Sequence, residues 1–125
     1  MFLSLGLALT ACGSRVDSAG TGGSAPAAAS CVDTSGSSIK IGFLNSRSGT
    51  MAISENTVYN SLKMASDEIN AAGGVLGKQL TVVAEDGASE PTVFAEKAQK
   101  LIRSDCTAAV FGGWTSSSRK AMLPV

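Results

Sequence analysis

The stretch IKIGFLNSRSGTMAISENTVYNSLKMASDEINAAGGVLGKQLTVVAED, residues 39–86, decides the fold class. Its opening run, 39–44 (IKIGFL), reads as a β-strand, and polar residues 45–50 come after it. Apolar Val58, Leu62, Ala65, Ile69 and Ala72 then recur at spacings of four, three, four and three. That spacing predicts one buried stripe on a helix of period 3.6. Gly73 and Gly74 end the helix, because glycine accepts the left-handed geometry of a helix C-terminus. Residues 80–84 (LTVVA) form a second strand, closed by Glu85, Asp86 and Gly87.

Toward the C-terminus the alternation repeats. Ser89 is placed to cap a second helix that tolerates Pro91 in its first turn. Phe94, Ala98, Leu101 and Ile102 supply its buried face, and residues 107–111 (TAAVF) make a third strand. Gly112 and Gly113 break that strand, and residues 115–118 (TSSS) open a third helix. The order β-α-β-α-β-α implies an α/β fold, a three-layer sandwich with helices on the faces of a parallel sheet. Three strands leave two edges open, and residues 39–125 make a thin core. They are therefore expected to be an incomplete part of a larger domain.

Upstream, residues 2–9 (FLSLGLAL) are apolar and run into Thr10, Ala11 and Cys12. A membrane span needs about 20 apolar residues, so this run fits the core of a secretory signal instead. Residues 9–12 (LTAC) resemble the lipobox of bacterial lipoproteins. The expectation is a lipoprotein signal peptide over 1–12, with Cys12 lipidated and the protein anchored extracytoplasmically, periplasmic or on the outer face of the cell membrane. An ordinary buried N-terminal strand is the alternative. No Lys or Arg follows Met1, which points to a natural start upstream. Residues 13–38, dominated by Gly, Ser and Ala, read as a flexible tether. Cys31 and Cys106 remain, and in an exported protein they form either a disulfide or two free buried thiols.

Ten basic and ten acidic side chains balance, and histidine is absent. Zero net charge gives no electrostatic reason to bind nucleic acid. Without histidine the commonest general base and metal ligand are missing, so no enzyme activity, metal or cofactor is expected. Gly77-Lys78 is no P-loop, because Ala72 and Gln79 stand where glycine and Ser/Thr are needed. No G-x-G-x-x-G comes after the first strand, and residues 113–117 (GWTSS) lack the second glycine of a nucleophile elbow.

In open α/β sheets ligands bind outside the carboxyl ends of the strands. Two polar loops fall there, 45–50 after the first strand and 112–118 after the third. The second carries Trp114 and four consecutive hydroxyls, Thr115 to Ser118, at a helix start. Trp114 offers a flat apolar wall with one donor. The plainer alternative makes Trp114 core and Thr115 or Ser116 a helix cap.

Residues 39–125 resemble the amino-terminal lobe of type I periplasmic binding proteins of the Leu/Ile/Val-binding family, and most of all its urea and short-amide branch, the substrate-binding proteins of urea ABC transporters. The residues that carry the resemblance are IKIGFLNSRSGTMAISE (39–55), EINAAGGVLGKQL (68–80), FAEKAQKLI (94–102) and VFGGWTSSSRKAMLPV (110–125). The first two identify the fold, whereas GWTSSSRK (113–120) is the part similar to the urea and amide branch. The resemblance implies a strand order of 2-1-3, with both polar loops side by side and the ligand held between two lobes that close about a hinge. It puts Trp114 and Ser116 against the ligand, with Thr115 and Thr50 as further candidates. It also brings the amino-terminal ends of strands one and three together, where a Cys31–Cys106 disulfide would clip the tether to the base of the lobe.

The protein is accordingly expected to be an extracytoplasmic solute-binding lipoprotein that delivers urea or a short amide to an ABC transporter permease. The uncharged loop 112–118 ranks a small neutral ligand above amino acids, which need charge-assisted partners. Arg47, in the other loop, is free to point to solvent. The alternatives are a branched-chain amino-acid-binding protein of the same fold, or an amide-sensing receptor domain.

Overall fold

The computed structural model describes residues 30–125, so the expected signal segment with Cys12 and the tether residues 13–29 lie outside it. In chain order it contains β1 (Ser38–Asn45), α1 (Ala52–Ala71), β2 (Gln79–Asp86), α2 (Pro91–Gln99), a π-helical turn (Lys100–Ser104), β3 (Val110–Gly112) and α3 (Ser116–Met122). The three strands form one parallel sheet in the order β2-β1-β3.

Side-chain alternation along β1 sorts the helices into layers. Leu44 points to one face and is fully buried against Phe94, Ala98 and Leu101 of the α2 side, with Val110 and Met122 packed around them. Phe43 points to the other face, where its ring meets Tyr59 of α1 and Phe111 of β3 edge-on, each at 6.1 Å between centroids. Each such buried Leu or Phe stabilises by about 1.5–3 kcal/mol. The molecule is thus α1, sheet, then α2 with α3.

Four expectations change. The third strand is not 107–111 but Val110–Gly112, because the chain is still leaving the π-helical turn. Cys106 adopts φ 55, and the Thr107 N–H and hydroxyl both donate to the Leu101 carbonyl at 3.0 Å. The stripe of α1 does face the sheet, but it is not buried throughout. Val58 and Leu62 are half-buried, Ala65, Ile69 and Ala72 are exposed, and the fully buried residues of α1 are Glu55 and Ser66. An apolar groove of about 370 Å³ stays open beside them, bounded by Ile41, Phe43, Leu62, Ile69 and Phe111 among others. Ser89 does not cap α2. Glu90 holds that position without a side-chain bond, while the Ser89 hydroxyl accepts from the Met51 N–H and donates to the Ser48 carbonyl. Ile102, expected in the buried face, is 42% exposed.

The last residues assigned to the tether lie against the domain. Cys31 is disulfide-bonded to Cys106, with the two Cα atoms 5.4 Å apart. Asp33 accepts hydrogen bonds from the Ser35 N–H and hydroxyl, Lys78 Nζ donates to the Gly36 carbonyl, and the Gln79 N–H donates to the Ser37 carbonyl.

Candidate functional site

Parallel pairing decides where the two polar loops emerge. Gly42, Phe43 and Leu44 lie opposite Val110, Phe111 and Gly112, so the chain leaves β1 and β3 at the same rim. Gly112 is required there: its φ is +145, and a Cβ on it would fall 1.7 Å from the Leu44 carbonyl oxygen. Only glycine lets the backbone approach that closely.

The loop after β1 is held from the neighbouring strand end. Asp86 accepts from the Arg47 N–H at 2.8 Å, the Ser48 N–H at 3.3 Å, the Ser48 hydroxyl at 2.8 Å and the Ala88 N–H at 2.8 Å. Burial pushes the Asp86 carboxyl up, but these hydrogen bonds outweigh it and hold the group below the usual carboxylate range. Ser46 Oγ accepts from the Ser89 N–H at 3.0 Å, which ties the same loop to the turn after β2. The Arg47 guanidinium lies over the Tyr59 ring, 4.8 Å from its centroid.

The loop after β3 is held from within α3. Thr115 Oγ1 accepts from the Ser118 N–H at 3.2 Å and so caps the helix, with the Ser117 and Ser118 hydroxyls 2.9 and 2.7 Å from it. Arg119 donates to the carbonyls of Gly113 and Trp114, both at 2.9 Å, and to Ser116 Oγ at 3.2 Å.

Where β1 and β3 end, against α1, lies a recess of about 150 Å³, lined by Asn45, Val58, Leu62, Phe111, Gly112 and Trp114. Of its lining residues Trp114 is 53% exposed, whereas Asn45 is 1% exposed. Asn45, Ser46 and Glu55 make a buried polar group where β1 ends. Glu55 Oε2 accepts from the Ser46 N–H at 2.6 Å, while Glu55 Oε1 and both amide atoms of Asn45 have no hydrogen-bond partner among the described residues. Among the described residues, no charged side chain lines the recess.

Of the residues that sequence reasoning singles out, Trp114 lines the recess. Thr115 and Ser116 sit just beyond it with their hydroxyls engaged, and Thr50 is exposed in the turn before α1. Asn45, Asp86 and Arg119 are functional candidates that sequence reasoning misses. Asn45 has a readable signal: in the alternation Ile39, Ile41, Phe43, Asn45 it is a polar residue on an inward-facing position.

The family model described as "Periplasmic binding protein domain" matches residues 39–125. The chain is 34% identical over 103 residues to the Leu/Ile/Val-binding protein homolog 7 of Brucella abortus, covering 82% of this chain and 24% of that protein. Among solved structures it is similar to the branched-chain amino acid transporter substrate-binding protein of Streptococcus pneumoniae in complex with isoleucine, with a TM-score of 0.68 and 38% identity over 70% of this chain and 25% of that one. A solute-binding protein of an ABC transporter from R. palustris, in complex with benzoate, gives a TM-score of 0.61 and 26% identity over 70% of this chain and 24% of that one. The chain spans about a quarter of the length of these relatives.

Proposed function

This chain belongs to the periplasmic binding protein family, and from that premise we propose that it forms part of the extracytoplasmic solute-binding component of an ABC transporter. The observation that carries the reading is the recess where the loops after β1 and β3 leave one rim of the sheet. Small ligands of parallel α/β sheets occupy that crevice. In this reading residues 39–125 supply one wall of a cleft, the rest of the protein supplies the other, and the ligand is bound and released unchanged. Cys12 carries the lipid anchor, and Trp114 and Ser116 face the ligand, with Thr115 and Thr50 at the edge of the site.

Two ligand classes are supported by different observations. The recess favours a small neutral amide, urea or a short carboxamide. Arg47 is stacked on Tyr59 and Arg119 is committed to backbone carbonyls, so this wall offers a zwitterion no charge-assisted partner from a described side chain of the recess. The relatives favour a branched-chain aliphatic amino acid, whose hydrocarbon would suit Val58, Leu62 and Phe111.

Isothermal titration of the protein as its host makes it, with urea, acetamide and leucine in turn, tests both. Saturable heat from an amide supports the first class. Saturable heat from leucine alone supports the second, and heat from none of them refutes the binding reading. Mass analysis of the mature N-terminus tests the anchor, and an unmodified Cys12 refutes it.

A further inference from the structure

We propose that Glu55 is a positioning residue for the ligand: its buried carboxyl group ties the first turn of α1 to the end of β1 and so fixes the width of the recess between them. The inference rests on the reading that the recess holds the ligand, and it gives Glu55 no contact with that ligand.

Glu55 opens the stripe that α1 turns toward the sheet, with Val58 and Leu62 three and seven residues further on. Those two residues line the recess from the helix, and Asn45 lines it from β1. Glu55 itself is fully buried behind them and does not line the recess. Its Oε2 accepts from the N–H of Ser46, the residue after Asn45, at 2.6 Å. A second bond from α1 to the same stretch of chain, Asn56 Nδ2 to the Arg47 carbonyl, is longer at 3.4 Å and exposed. Water competes with the exposed bond but not with the buried one, so the Glu55 tie is the one that holds the two walls at a fixed separation. Ser46 Oγ in turn accepts from the Ser89 N–H, which carries the tie on to the turn after β2.

Folding alone does not account for a glutamate at this position. Among the described residues no lysine or arginine pairs with it, and its Oε1 has no hydrogen-bond partner. A carboxyl group taken out of water with one oxygen unpaired costs stability, and an apolar residue would continue the stripe at lower cost. Departures of this kind are expected where a site constrains the sequence. What glutamate adds is reach: an acceptor that spans from the helix to the backbone at the end of β1, which an aliphatic side chain cannot supply.

The test compares Glu55→Leu and Glu55→Gln with wild type, in the protein as its host makes it. Urea, acetamide and leucine are titrated well below the melting temperature of each variant, and amide hydrogen exchange is followed at Ser46. Glu55→Leu stays buried but offers Ser46 no acceptor. Exchange at Ser46 is expected to quicken, and affinity for the probe that wild type binds to fall ~10-fold, the worth of about one hydrogen bond. Glu55→Gln keeps the length and an acceptor oxygen, and should return affinity to within ~3-fold of wild type. Should Glu55→Leu fail to fold, Glu55→Asp, one methylene shorter, decides by the same loss of affinity. A merely structural glutamate would move stability and leave affinity alone, since each variant is folded during titration. Unchanged affinity in the folded variants, alongside weakened binding in Trp114→Ala, would therefore overturn the role of Glu55 and leave the site standing. A Glu55→Gln as weak as Glu55→Leu would overturn the hydrogen bond as the cause. A wild type that binds no probe overturns the site and this inference together.

Discussion

The Cβ that Gly49 lacks would lie 2.6 Å from the Ser89 hydroxyl oxygen, so the turn after β1 and the turn after β2 interlock at that point. Gly49 also holds φ +80, a conformation that costs an L-residue about 1–2 kcal/mol. Gly49→Ala is expected to lower stability by at least ~1 kcal/mol and to weaken ligand binding, because the rim of the recess shifts. Guanidinium unfolding is the suitable measurement, urea being a candidate ligand. A variant as stable as wild type would mean the two turns move independently.

Asp86 predicts an acid limb. Burial raises its carboxyl, but hydrogen bonds from Ala88, Ser48 and Arg47 more than offset that, so the folded group titrates below the usual range. A depressed acid contributes stability that is complete above about pH 4 and is lost as the pH falls through the folded value. Asp86→Asn should therefore flatten the melting temperature against pH below about pH 4. Part of the slope will remain, because Glu85 is also held low by hydrogen bonds from Lys100 and Lys97. An acid limb identical to wild type would show that Asp86 does not hold the loop.

The Cys31–Cys106 bond joins residues 75 positions apart. On the chain-entropy model such a closure stabilises by about 4 kcal/mol. The double variant Cys31→Ser, Cys106→Ser, or reduction of the wild type, should lose a stability of that order in guanidinium. Equal midpoints in oxidised and reduced protein would contradict it.

Trp114 is half-exposed, so truncating it should barely affect folding. If its ring lines an occupied recess, Trp114→Ala weakens the ligand by more than ~1 kcal/mol while stability changes by less than that. A loss of stability without a loss of affinity would return Trp114 to the core.

Arg119 should act on the site without touching it. It donates to two loop carbonyls and to Ser116. A lysine cannot span those acceptors, because its ammonium is a compact point rather than a planar fork. Arg119→Lys is expected to speed amide hydrogen exchange over residues 113–116 and to lower affinity several-fold. Unchanged exchange would show that the loop is rigid without it.

Periodicity makes most of the architecture legible. The alternation of Phe43 and Leu44 and the spacing of Phe94, Ala98 and Leu101 reflect which face each residue must bury, and that is local information. The order β2-β1-β3 is not local, and only a family resemblance implies it. The stripe on α1 misleads because period shows which face is apolar, not how much of it is covered. Trp114 stands out as an aromatic in a polar loop. Asp86 does not, because its partners Arg47 and Ser48 lie 39 and 38 residues away and no local pattern joins them. Asn45 reads from sequence as the first loop residue, yet it is the last residue of β1.

The disulfide also determines how the domain bears a load. A pull on the residues ahead of Cys31 enters through a covalent link into Cys106, beside the start of β3, and bypasses the ladder between β1 and its neighbours. Residues 31–106 form a closed ring that tension on that side cannot unzip, and the recess lies at the far end of the strands from the point of attachment. Tugging at the N-terminus would move the domain as one body and leave the shape of the rim unchanged.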